Sequence, residues 1–353
     1  MPRNPASLVL LLIISTGCGG GSTSGDDSPP PVNYVYQQPP ASICDTSMSA
    51  NGGLICAIQP SRLDTNTRDS YGNANAGDLL LGFGYHVVAF PPSTSDIKGV
   101  YVHLTGSYGR PYNQFSDVYG NAAFLDEAVA AGYITIQLAY HNRFSVNIDE
   151  CGDVANLGVD NCSGDVRMEK IVGTDVSSVV DVPIADSIEF RLETLVDYLE
   201  TQGFEFPFDV VANGIINWPS LSIGGHSQGA THALYLSKYF FAGHACLLAG
   251  GYDIPDTAPD IPAEGVADWL LDNSVAVDIA NIRALVSVDD NSYDAFVRAY
   301  GVLGMVQDVH YREISGAPYS EVGGTAISGH GAVLNDPRYT AQRFEACFRT
   351  PLE

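Results

Sequence analysis

The sequence predicts an α/β protein, with a mostly parallel central sheet, helices on both faces and insertions near the edge where the strands end. Three observations carry this. Short runs rich in β-branched and aromatic residues alternate with segments of helical period. One run, Leu221-Ser222-Ile223-Gly224, turns at Gly225-His226-Ser227-Gln228-Gly229 straight into a helical pattern that reaches Leu236. Acidic and histidine-bearing turns follow later, each after a strand. Strands joined through helices pair in parallel and are covered on both sides. Groups at their carboxyl ends then collect along one edge.

The chain opens as a targeting segment. Arg3 gives a positive start, and Leu8 to Ile14 is an apolar run too short to span a bilayer. Ser15-Thr16-Gly17-Cys18 resembles the lipobox of bacterial lipoproteins, with Ser15 standing where Leu is usual. Residues 1–17 are therefore expected to be cleaved and Cys18 lipidated; the alternative is an ordinary secretory signal. Either way the protein is expected outside the cytoplasm, as an outer-membrane or surface lipoprotein or in the periplasm or medium. Residues 18–40 carry Gly, Ser, Asp and Pro, including Pro29-Pro30-Pro31, and read as a disordered tether. One folded domain is expected over 41–353.

Lys+Arg number 16 against 41 Asp+Glu, a formal charge of −25. Nucleic acid is excluded as a partner, since it requires a cationic face. Membrane contact is expected only through the anchor at Cys18. Six further cysteines form an even set in an exported chain, which implies disulfides. Sequence neighbours suggest Cys44–Cys56 and Cys151–Cys162, leaving Cys246–Cys347. No Cys-x-x-Cys and no close Cys/His cluster supports zinc, and no metal site is expected.

Along the domain, Tyr85 to Phe90 and Gly99 to Leu104 read as strands, the second running into the loop Thr105-Gly106-Ser107-Tyr108. Ala122 to Ala131 reads as a helix and Tyr133 to Tyr140 as a strand. Asp186 to Thr201 places Ile188, Leu192, Leu195, Val196 and Leu199 on one helical stripe. Ala245 to Gly250 and Ile282 to Val288 are further strands, and Ala341 to Phe348 a final helix. His141 to Val180 and Tyr252 to Ala280 show no clear period and read as insertions that follow strands, placed either to rim or cover the site or to decorate the surface.

The chemistry centres on Ser227. Flanking glycines let a strand double back into a helix and hold the serine hydroxyl at a helix N-terminus. A serine hydroxyl needs a base and a third group to orient that base. His330, in Ser328-Gly329-His330-Gly331, is the expected base, in a flexible glycine loop. His226 is expected to point away and pack, His232 to be structural, and His103 to brace the oxyanion loop. The acid is expected after the strand ending at Val288. Asp290 is favoured over Asp289, and Asp294 is more distant. The oxyanion is expected to meet the N–H of Gln228 and that of Ser107, with Tyr108 N–H as the alternative.

These residues resemble the α/β-hydrolase superfamily from about Tyr85 to the C-terminus. The phrase Gly-His-Ser-Gln-Gly-Ala and Ala267-Asp268-Trp269 look like a group of exported bacterial members. The loop after His103 departs from the family, with Leu-Thr where many esterases have Gly-Gly. The resemblance implies a Ser-Asp-His triad and hydrolysis of a small-molecule or polymeric carboxylic ester through an acyl-enzyme, with no cofactor. Thioester or amide bonds would use the same groups. A surface protein that keeps the fold only to bind a ligand is the reading from another class.

Overall fold

The computed structural model describes residues 35–71, 82–255, 265–315, 319–322 and 325–348. The segment expected to be a signal, Cys18 and most of the expected tether lie outside these residues. Contacts divide the chain after Val35, and everything below concerns the unit from Tyr36 to Glu353. Tyr36 falls within the segment read as tether, yet its ring is buried against Phe204 and its hydroxyl donates to the Pro91 carbonyl at 2.8 Å.

A nine-stranded sheet forms the frame. Its strands are β1 (Thr46–Ala50), β2 (Gly53–Ile58), β3 (His86–Phe90), β4 (Gly99–Leu104), β5 (Tyr133–Leu138), β6 (Ser222–His226), β7 (His244–Leu248), β8 (Ile282–Ser287) and β9 (Tyr311–Ile314). They lie in the order β1-β2-β3-β5-β4-β6-β7-β8-β9. β5, β4, β6, β7, β8 and β9 run parallel to their neighbours; the pairs β1–β2, β2–β3 and β3–β5 are antiparallel. This order, the crossover at β4 and β5, and the sharp turn from β6 into a helix make an α/β-hydrolase fold, as the sequence predicts.

The sheet is covered on both faces because alternate residues point to opposite sides. On β2 and β3, Ile55, Ala57, Val87 and Ala89 meet Leu125 and Val129 of helix α1 (Ala122–Ala131). Cys56, Ile58, Val88 and Phe90 instead join the main core with Leu192, Leu195 and Leu199. Those leucines form the stripe of α3 (Ile188–Thr201), which packs beside α2 (Cys162–Val172). The longer helices further along the described residues are α4 (Gln228–Tyr239), α5 (Tyr293–Leu303), α6 (Gly329–Asn335) and α7 (Thr340–Cys347). Both insertions flank the carboxyl ends of the strands. All three expected disulfides are present: Cys44–Cys56, Cys151–Cys162 and Cys246–Cys347. They fit an oxidising compartment outside the cytoplasm.

Candidate active site

Ser227 sits between β6 and α4 with φ 56° and ψ −123°. A non-glycine residue rarely holds such angles, and they cost on the order of 1–3 kcal/mol. The surroundings enforce them. The Ser227 N–H donates to the Leu248 carbonyl at 2.9 Å. The turn also presses against β4, so tightly that a Cβ on Gly229 would lie 1.9 Å from the Leu104 carbonyl oxygen. Only glycine permits that approach, which is why the residue two places after the serine is one.

His330 lies in the first turn of α6, where the Ser328 hydroxyl accepts from the Gly331 N–H at 3.3 Å. The flexible loop expected here is therefore a capped helix start, and the imidazole backbone is fixed. A Cβ on Gly329 would meet the Asp289 carbonyl at 2.6 Å, so glycine here lets α6 close onto the acidic turn. That closure brings His330 Nδ1 to 2.6 Å from Asp290 Oδ2. The other Asp290 oxygen accepts from the Ser292 N–H at 2.8 Å. The Asp290 side chain is 2% exposed, that of His330 36%. Asp289 and Asp294 are exposed. With Nδ1–H donated to the carboxylate, Nε2 is left as the basic nitrogen.

Ser227 and His330 line one cavity of about 460 Å³, together with Ser107, Gln228, Val146 and Tyr252. Val146 comes from the first insertion and Tyr252 from the second, so both insertions rim the site. Among the described residues the N–H groups of Gln228 and Ser107 donate to no acceptor. The Tyr108 N–H is spent on the Asn142 carbonyl at 2.9 Å, which removes it as the alternative donor.

Several residues act here that the sequence reading passed over. Asn142 holds the loop after β4: its side-chain nitrogen lies 2.8 Å from Thr105 Oγ1, 2.8 Å from the Gly106 carbonyl and 2.9 Å from the Gly109 carbonyl. The Gln228 side-chain oxygen accepts from the Val146 N–H at 2.8 Å and from the Ser107 hydroxyl at 3.2 Å, tying the insertion to that loop. His226 does more than pack: its Nε2 donates to the His330 carbonyl at 2.8 Å. Burial, and next the proximity of His330, lower its pKa to about 4, so it is a neutral donor near pH 7. His103 does not brace the loop. It is buried against Phe124, its ring nitrogens have no partner among the described residues, and burial lowers its pKa to about 3. His232 is buried against Tyr140, in keeping with a structural role. Arg167 borders the cavity but is held in a bidentate pair by Asp253 at 2.5 and 2.6 Å. Trp269 Nε1 donates to the same carboxylate at 2.8 Å, and the Arg167–Asp253 pair joins the two insertions. Among the described residues no group of His, Cys, Asp and Glu is arranged to hold a metal ion.

No protein-family model matches this sequence. No curated protein matches it either. Solved structures similar to it include an S-formylglutathione hydrolase from Agrobacterium tumefaciens, at 11% identity and TM-score 0.45, covering 87% of this chain and 99% of that one. A cold-adapted esterase from an Arctic intertidal metagenomic library shares 11% identity at TM-score 0.39, covering 86% and 98%. A bacterial heroin esterase shares 11% at TM-score 0.39, covering 89% and 88%. The fold assignment rests on the strand order and the turn at Ser227, not on these distant likenesses.

Proposed function

We propose that the protein is an exported serine hydrolase of carboxylic esters. The observation that carries this is the 2.6 Å contact between Asp290 and His330 in a cavity that Ser227 also lines. In the proposed cycle His330 Nε2 takes the proton from Ser227 Oγ as that oxygen attacks the ester carbonyl carbon. Asp290 holds the imidazole and stabilises the imidazolium. The Gln228 and Ser107 N–H groups receive the developing oxyanion. His330 then protonates the departing alkoxide, leaving an acyl-Ser227 ester. Water, deprotonated by His330, attacks that ester; His330 then returns the proton to the departing Ser227 Oγ, releasing the carboxylic acid and restoring the free enzyme. The three disulfides support export.

A fluorophosphonate probe on expressing cells tests this. The wild type should be labelled and Ser227→Ala should not, with the label in the membrane fraction and shifted to the soluble fraction by Cys18→Ser. A well-folded wild type that resists the probe and hydrolyses no ester would leave a binding protein as the reading. Label in the soluble fraction for both forms would remove the lipid anchor.

A further inference from the structure

Beside the proposed catalytic cavity lies a second, more open cleft of about 390 Å³. The two share a wall, the half-exposed ring of Tyr108, one residue after the Ser107 oxyanion donor. Arg110 and Arg143 both line the second cleft, with Asn113 and Ser116, and no described lining residue is acidic.

This is out of keeping with the rest of the molecule. The chain carries −25, and Arg62, Arg68, Arg167, Arg191, Arg338 and Arg343 each hold a carboxylate. Arg143 holds none among the described residues. Its Nε is shielded from solvent and has no hydrogen-bond partner there, and its guanidinium stacks 5.0 Å from the centre of the Tyr108 ring. The nearby Asp149 is engaged elsewhere, accepting from the Tyr108 hydroxyl and from the Ser145 N–H at 2.7 Å. Arg110 donates through Nε to the Gly82 carbonyl at 2.9 Å, which fixes its place beside the cleft. A shielded guanidinium N–H with no acceptor costs free energy that an anionic oxygen recovers.

We propose that this cleft is a subsite for an anionic oxygen group, carboxylate or phosphate, carried by the ester, so that the preferred substrates are anionic esters. The subsite as part of an enzyme rests on the hydrolase reading above. A substrate would place its carbonyl at Ser227 and pass over Tyr108 to put its charge against Arg143. The planar guanidinium suits two-point contact with such a group.

The test compares matched esters that differ by one charge. On the alcohol side 4-acetoxybenzoate is set against methyl 4-acetoxybenzoate; on the acyl side monomethyl adipate is set against methyl hexanoate. The wild type should favour the anionic member of one pair by about tenfold or more in kcat/KM, the size expected for one charge-assisted contact. Arg143→Gln should collapse that ratio through KM, and Arg143→Lys should keep more of it. Because the readout is a ratio within a pair, a loss common to both members cancels. Succinate and inorganic phosphate as competing inhibitors distinguish the two anion types. No preference in either pair, or a preference untouched by Arg143→Gln, overturns the subsite. Failure of the hydrolase reading shows separately, as no fluorophosphonate label and no turnover of the neutral esters. Calorimetric titration with succinate and with phosphate then decides the subsite alone: binding lost in Arg143→Gln supports it, and no binding to the wild type overturns it.

Discussion

At the scale of single residues, the question the sequence left open was which acid serves His330. Asp289 and Asp290 are adjacent and chemically identical, and only the closure of α6 onto their turn separates them. Asp290 is buried with both oxygens engaged, while Asp289 faces solvent. Asp290→Asn should therefore lower kcat by about 10³–10⁴-fold, because the amide favours the wrong imidazole tautomer. Asp289→Asn should stay within severalfold. Rates of fluorophosphonate labelling and ester turnover measure both, and the reverse ranking would move the acid to Asp289. His226 teaches a related lesson. A side chain beside the nucleophile was read as turned away from the chemistry. Its ring reaches the backbone of His330, the residue expected to activate the serine.

At the scale of elements, the strand, turn and helix around Ser227 were readable because the glycine constraints are local. The loop after β4 was readable only as a place. Its shape depends on Asn142, which is far along the chain and carries no motif. Asn142→Ala should free the loop and misplace the Ser107 N–H, lowering kcat by about tenfold to a hundredfold with KM little changed, because that donor matters most in the transition state. A rise in KM with kcat intact would instead assign Asn142 to ground-state binding. Helix α2 went unread for a different reason. Arg167, Glu169 and Lys170 are buried in it, so the apolar stripe that marks a helix is interrupted by charge. Those charges are satisfied by distant partners: Asp253 for Arg167, Glu150 for Lys170, and the Ser177 and Val182 N–H groups for Glu169. The hairpin of β1 and β2 was likewise missed, since Gly53 to Ile58 is buried throughout and shows no alternation.

At the scale of the whole molecule, burial of histidine sets an acid limit. His86, His103, His141, His226, His232 and His244 are all pushed down, chiefly by burial, His103 to about 3 and His226 and His244 to about 4. The unfolded chain protonates these rings near pH 6.5, whereas the folded chain resists until far lower pH. The unfolded state thus binds more protons across that window. Stability from these groups is complete above about pH 6.5 and is lost as pH falls toward 4. Asp126, Glu150, Asp165, Glu189, Glu193 and Glu200, raised chiefly by burial, act in the opposite sense, but carboxyls ordinarily titrate near pH 4, so they oppose the histidines mainly at the lower end of that window. The melting temperature should accordingly fall steadily from pH 7 to pH 4.5. A flat or rising profile in thermal melts would show that these rings are not buried neutral.

The sequence by itself determined the alternation of strands and helices, the turn at Ser227, the candidate groups that gather near it, and the cysteine pairs closest along the chain. These follow from periodicity, glycine and short-range spacing, which a single segment displays without its neighbours. The tertiary structure alone decided which aspartate meets His330, which amide near Ser107 is free, what braces the loop after β4, and that Arg143 stacks on Tyr108 with its Nε unpartnered among the described residues. Each of these depends on where separate segments meet in space, and no local pattern records a hydrogen bond between residues tens or hundreds of positions apart.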